Sequence, residues 1–195
     1  MIKKVFLVLI ISILMLSISG CTDKAIKETP AETDLTTNTS EIHTIPDDSG
    51  SLSLVPADNL PESYEFLGSR ELSIEKIEGE YISVPGIIDG SEGLYTYLDS
   101  TDVYVDVIEM NSSVSAEEFI AEFKAGFREY PDGGRFTEVS FNGHSAVRIL
   151  EYILIDTNDV KRYTYIWNND KFVFVVGGAT DDYAVLSNLA EATGY

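Results

Sequence analysis

The stretch YTYLDSTDVYVDV, residues 95–107, places β-branched and aromatic residues on both sides of a polar cluster, Asp99-Ser100-Thr101-Asp102. Such residues suit a pleated, half-buried surface, and Asp and Ser supply a turn, so the stretch reads as a β-hairpin. With its flanks the hairpin covers EGLYTYLDSTDVYVDVIEM, residues 92–110. A second stretch, YTYIWNNDKFVFV at 163–175, echoes it at a fixed offset of 68 residues. The matches are Tyr95/Tyr163, Thr96/Thr164, Tyr97/Tyr165, Asp102/Asp170, Val105/Val173 and Val107/Val175.

A helical pattern follows each hairpin. SAEEFIAEFKAGFREY, residues 115–130, opens with Ser115 and Glu118 in capping-box spacing. Its apolar residues Phe119, Ile120, Phe123, Phe127 and Tyr130 recur at helical intervals until Pro131. TDDYAVLSNLAEATGY, residues 180–195, reads as the second helix, capped by Thr180 or Asp181 and stopped at Gly194. Between them, RFTEVSF (135–141), an Asn142-Gly143 turn and SAVRILEYILID (145–156) form a further hairpin. KRYTYIW and KFVFVVGG then pair around Asn168-Asn169-Asp170, while ESYEFLGSREL (62–72) and GEYISVPG (79–86) read as earlier strands. The expected architecture is a single α+β domain over residues 52–195, a mainly antiparallel sheet with two helices packed on it. The echo suggests two hairpin-plus-helix pseudo-repeats. This layout resembles the Mog1/PsbP-like fold, a resemblance that bears on fold alone.

Strand residues alternate between faces, so the echo also predicts surfaces. The first hairpin would turn Tyr95, Tyr97, Asp99, Tyr104 and Asp106 away from Val105 and Val107. The corresponding set in the second is Tyr163, Tyr165, Trp167, Phe172 and Phe174, which is far more apolar and holds the only tryptophan. That face is either covered by another segment or displayed as an aromatic surface for a ligand or partner.

The N-terminus has a different character. Lys3 and Lys4 precede a run from Val5 to Ile18 broken only by Ser12 and Ser17, too short to span a bilayer but laid out as an export signal. Ile18-Ser19-Gly20-Cys21 then resembles the lipobox of bacterial and some archaeal lipoproteins. The resemblance implies that residues 1–20 are a signal peptide and that Cys21 is lipidated on sulfur and becomes the new N-terminus. Two acyl chains hold a protein stably to a membrane where one does not. The chain would then lie on the outer face of the membrane or in the cell envelope. Cys21 is the only cysteine, so no disulfide is available to an exported domain. Residues 21–51 hold the lipidated cysteine and then a threonine-rich, aromatic-free stretch, read as a disordered tether that includes His43. Asn38-Thr39-Ser40 and Asn111-Ser112-Ser113 match the glycosylation pattern by composition.

The charge is −20, with 33 acidic residues against 13 basic ones. Nucleic acid is excluded as a partner, because phosphates need a basic patch. No phosphate loop, nucleophile elbow or zinc helix occurs. Catalysis by a Ser-His-Asp site would have to use His144, which directly follows a turn, and histidine and cysteine are too few for a metal site. The carboxylates of DSTDVYVDVIE and IDTND lack the spacing of a calcium loop. Arg148 and Glu151 sit within an apolar strand as a structural ion pair or as sheet-edge residues. No cofactor is expected. The reading is a membrane-anchored, non-enzymatic binding or assembly module for an envelope protein or polymer. Two alternatives stay open, a small envelope hydrolase using paired carboxylates and a carrier holding an apolar ligand between sheet and helix.

Overall fold

β7 and β3 meet at the centre of a seven-stranded antiparallel sheet, and two meanders run outward from them. A computed structural model describes residues 44–195. The first meander is β1 (Tyr64–Leu72), β2 (Ile87–Tyr97) and β3 (Thr101–Met110). The second is β4 (Phe136–Phe141), β5 (His144–Ile155), β6 (Asn158–Asn169) and β7 (Phe172–Gly178). The order across the sheet is β1-β2-β3-β7-β6-β5-β4. Leaving β3 at the centre, the chain must cross to the far edge before β4 can start. Helix α2 (Ser113–Ala125) makes that crossing, and the second meander then walks back to pair β7 with β3 from Val103↔Gly178 to Glu109↔Phe172. The α+β, antiparallel single domain is the architecture read from the sequence.

Each sheet face has its own core. One gathers Tyr95, Val103, Val105, Val107, Tyr165, Trp167, Phe172, Phe174 and Val176 beneath Val185, Leu186, Leu189 and Ala190 of α3 (Tyr183–Ala192). A 3-10 turn at Ser51–Leu54 buries Leu54 on the same side. The other face gathers Ile108, Val147, Ile149, Ile166, Val173 and Val175 beneath Ala116 and Phe119 of α2 and Ile77 of α1 (Ile74–Glu80). Both faces are therefore buried along the centre, which is why β7 reads Phe-Val-Phe-Val-Val without a polar alternation.

Local chemistry sets the turns. Asn142 and Gly143 take φ of +52° and +79°, the left-handed pair that a two-residue hairpin requires. Asp156 and Thr157 do the same at +47° and +71°, closing β5 onto β6. The helix starts differ from the sequence reading. Ser112, not Ser115, caps α2 by accepting from the Ser115 N–H, and α2 ends at Ala125, ahead of Phe127 and Tyr130. Asp182, not Thr180 or Asp181, caps α3 by accepting from the Ala184 N–H. Gly194, the expected stop, follows α3 at φ +76°.

Three expectations need correction. GEYISVPG is not a strand: it holds the last residues of α1 and a loop, because Ser73 caps a helix by accepting from the Lys76 N–H. The echo keeps the order hairpin then helix, but α2 and α3 cover opposite faces. The offset of 68 also slips the register. Tyr97 pairs with Thr101 around the first turn, whereas Asn169 pairs with Phe172 around the second. Consequently Tyr95 lies opposite Val103 and shares its face, while Tyr104 and Asp106 point to the other side. The set Tyr95, Tyr97, Tyr104 and Asp106 is thus not one surface. Packing starts slightly ahead of the boundary read at residue 52, since Ile45 and Ser51 already meet the domain.

Candidate functional site

The aromatic set of the second hairpin does share one face, and that face is covered. Tyr165, Trp167, Phe172 and Phe174 are all buried under α3, and only Tyr163 is partly exposed. Trp167 stacks on Phe174 at 5.1 Å and meets the edge of Phe141 at 4.8 Å. Its indole N–H donates to the Tyr195 main-chain oxygen at 3.1 Å. The open alternative of a displayed surface is therefore corrected to core, because α3 brings four apolar residues onto it.

The space that does open lies at the other end of the sheet, where β7 stops. Leu67, Leu94, Asp102, Tyr104, Glu151, Ile153, Arg162, Thr164, Gly178 and Ala179 line most of a groove of about 610 Å³. Its origin is the composition of β7's last residues. A Cβ on Gly177 would run into the Tyr104 ring, and one on Gly178 would lie 2.7 Å from the Asp102 carbonyl oxygen. Glycine at both positions lets the Tyr104 ring lie across β7, where it lines the groove beside Gly178. The walls are apolar and open: Leu67 is 58 % exposed, Ile153 39 % and Leu94 36 %. Glu151 and Arg162 face each other across the β5–β6 ladder at one wall. A groove this open, with Leu67, Leu94 and Ile153 exposed along it, can bind apolar side chains. It offers no nucleophile-and-base pair.

A second constellation sits beside it, under α1. Arg70, Glu92 and Asp106 are cross-strand neighbours on β1, β2 and β3 and form one charged row. Arg70 Nε pairs with Glu92, Lys76 Nζ of α1 lies 3.8 Å from the same carboxylate, and the Tyr81 hydroxyl donates to Asp106 Oδ2. Asp106 is fully buried and its Oδ1 meets no partner among the described residues. Burial, with Glu92 and Glu80 nearby, pushes its carboxyl up to about 7 against the pull of the Tyr81 hydrogen bond and Lys76. Tyr81 is raised as well, chiefly by its own burial and then by Asp106. An acid poised near neutrality suits proton transfer, but here the Tyr81 ring seals it, packed on Phe119 and Phe123 at 6.2 and 5.6 Å. No substrate reaches it in this conformation.

The remaining candidates scatter. His144 opens β5 with its Nε2 buried and unpartnered among the described residues, and burial lowers its pKa. Arg148 does not pair with Glu151. Its guanidinium lies over Tyr183 at 4.3 Å and Tyr163 at 5.5 Å, on the opposite face from Glu151. No group of three or more His, Cys, Asp or Glu among the described residues is placed to hold a metal ion. None of the described helices is long and apolar enough to cross a membrane. The signal segment, Cys21, the tether to His43 and Asn38 lie outside the described residues. The groove itself was missed in the sequence, although Gly177-Gly178 at the end of an apolar strand was its signal. No protein-family model matches the chain, and no curated protein matches its sequence.

Proposed function

We propose that this chain is a lipid-anchored extracytoplasmic protein whose domain is a non-enzymatic binding or assembly module, with the groove at the end of β7 as its contact surface. The observation that carries this is the groove's lining, where Leu67, Leu94 and Ile153 stand exposed beside the end of β7 at Gly178. Burying a fully exposed side chain of this kind contributes about 1.5–3 kcal/mol, and proportionately less for one already part-buried, so a partner that covers all three gains a few kcal/mol of apolar contact. Of the carboxylate pairs a hydrolase could use, Glu92 and Asp106 are both buried, and the groove's Asp102 and Glu151 stand on β3 and β5, with β7 and β6 between them in the sheet order. A carrier would hold its ligand between sheet and helix, whereas this groove lies beyond α1 and α2, on uncovered sheet.

A photo-crosslinking residue at Leu94 or Ile153, introduced in intact cells, should give discrete adducts. The same residue at exposed Leu52 or Ile74, away from the groove, should not. Equal labelling at all four positions, or none at the groove, would overturn the binding assignment. The anchor is tested separately. Cys21→Ser should shift the protein from the membrane fraction to the soluble one, and intact mass of the wild type should show a diacylglyceryl-modified cysteine at its N-terminus. A wild-type chain that retains Met1 would reject the lipobox reading.

A further inference from the structure

We propose that the open edge of β6, residues 158–164, takes an extended segment of a partner protein as an added strand, and that this segment alternates apolar and basic side chains. The proposal rests on the binding reading above and specifies its occupant.

β7 is shorter than both its neighbours. It pairs with β6 only from Tyr165↔Val176 to Asn169↔Phe172. It then turns away, its successor Ala179 donating its N–H to the Asp102 oxygen at 2.8 Å. β6 continues with β5 on one side and no strand on the other among the described residues. The direction of its backbone groups follows from Leu150. That residue uses its N–H and C=O on the β4 side, donating to the Arg135 oxygen and accepting from the Arg135 and Tyr130 side chains. In an antiparallel ladder the bonded pairs alternate. Hence Glu151↔Arg162 and Ile153↔Val160 carry the β5–β6 bonds, and Asp159, Lys161 and Tyr163 aim their N–H and C=O groups at the side β7 has vacated. Among the described residues, the Lys161 carbonyl is met there only by the neighbouring Arg162 side chain, at 2.9 Å. Such an edge templates strand addition.

The two faces of an added strand would meet different surroundings. One faces the groove already described. The other faces a second groove of about 510 Å³ lined by Asp159, Val160, Lys161, Tyr163, Asp181, Asp182 and Tyr183. Alternate side chains of an extended segment would fall into the two in turn. The first takes apolar side chains against Leu94 and Ile153. The second sets Asp159, Asp181 and Asp182 against Lys161, with Arg148 stacked on Tyr183 and Tyr163, so it stays net acidic and selects basic ones. The first is also net acidic, Asp102 and Glu151 against Arg162. A second copy of this chain would bring the same carboxylates to the same edge, on a molecule of charge −20, and is opposed for that reason.

The test uses the full chain and a synthetic peptide of about eight residues alternating isoleucine and lysine, with a glutamate-for-lysine peptide as control. Lys161→Pro deletes an N–H that points to the open side and makes no bond to β5, a position where strands tolerate proline. It should weaken peptide binding about tenfold or more, the loss of roughly one ladder hydrogen bond with its register. Lys161→Ala, with the same charge change, should bind no more weakly than wild type, and the glutamate peptide should not bind. Independently of any variant, the peptide should slow hydrogen exchange at Asp159, Lys161 and Tyr163 of the wild type. Binding without that protection, or untouched in a folded Lys161→Pro chain, overturns strand addition. If crosslinks at Leu94 and Ile153 persist, the groove reading survives that result. If they vanish too, both fall. A concentration-dependent dimer protecting these same amides would assign the edge to a second copy and reject the proposal.

Discussion

Trp167→Ala is expected to lower the unfolding free energy by about 3–5 kcal/mol, the usual cost of truncating a buried tryptophan. Trp167 is 1 % exposed, lies between Phe174 and Phe141, and has its one polar atom bonded to the Tyr195 oxygen. Truncation therefore leaves a cavity between the sheet and α3 and removes one donor to the Tyr195 oxygen, which keeps only its longer contacts with Asn142 Nδ2 at 3.4 Å and Thr193 Oγ1 at 3.5 Å among the described residues. Urea unfolding read by circular dichroism gives the comparison. In the wild type the single tryptophan adds its own signal, a shift of emission to longer wavelength as α3 detaches. Groove crosslinking at Leu94 and Ile153 should persist under conditions where the variant stays folded, since the two faces are separated by the sheet. A variant as stable as wild type would mean that α3 does not cover this face.

Asp106 should make the protein less stable as pH rises, the reverse of a salt-bridged carboxylate. Its folded pKa of about 7 stands above the ordinary value of 3.8. Between those values the folded chain keeps a proton that the unfolded chain releases, so folding takes up a proton and stability falls with pH. The loss begins near pH 4, is complete above about pH 8, and amounts to about 4 kcal/mol at about 1.4 kcal/mol per unit. Asp106→Asn keeps the acceptor for the Tyr81 hydroxyl and carries no charge. It should match the wild type near pH 4 and exceed it by a few kcal/mol at pH 8, in denaturation curves recorded across that range. Parallel curves for the two proteins from pH 4 to 8 would show that the carboxyl titrates normally. A charged group kept at such cost under a helix also predicts where opening starts. Above neutral pH, amides of α1 should exchange faster than those of α2.

Much of the fold was legible because its signals are local. Asn142-Gly143 announces a hairpin through the backbone conformation those two residues tolerate, and Phe119, Ile120 and Phe123 announce a helix through their spacing. α1 escaped because seven residues with one buried side chain, Ile77, carry too little period to read. The faces escaped for a different reason. Alternation says that Tyr104 opposes Val103 and Val105, but not which side a helix will cover, and the two hairpins differ in register by where their turns fall. The expected outward faces of both hairpins, of which the second was the candidate aromatic site, were assembled on one shared register. The second hairpin's set lies on one face, and the first hairpin's set is split between two.

By itself the sequence determined the α+β character, the hairpin-then-helix order, the absence of any disulfide and the acidic surface, since each depends on neighbours in the chain or on composition. Only the tertiary structure decided that α3 closes over Trp167 while α1 closes over Asp106, because a strand buried on both faces has no polar side to mark its orientation. It alone decided, too, that β7 stops pairing with β6 at Tyr165, leaving the first seven residues of β6 without it. That mismatch lies within the second meander, but the groove it opens is lined by Leu94 of the first and Ile153 of the second, and a groove made by the absence of a neighbour leaves no continuous mark in either one.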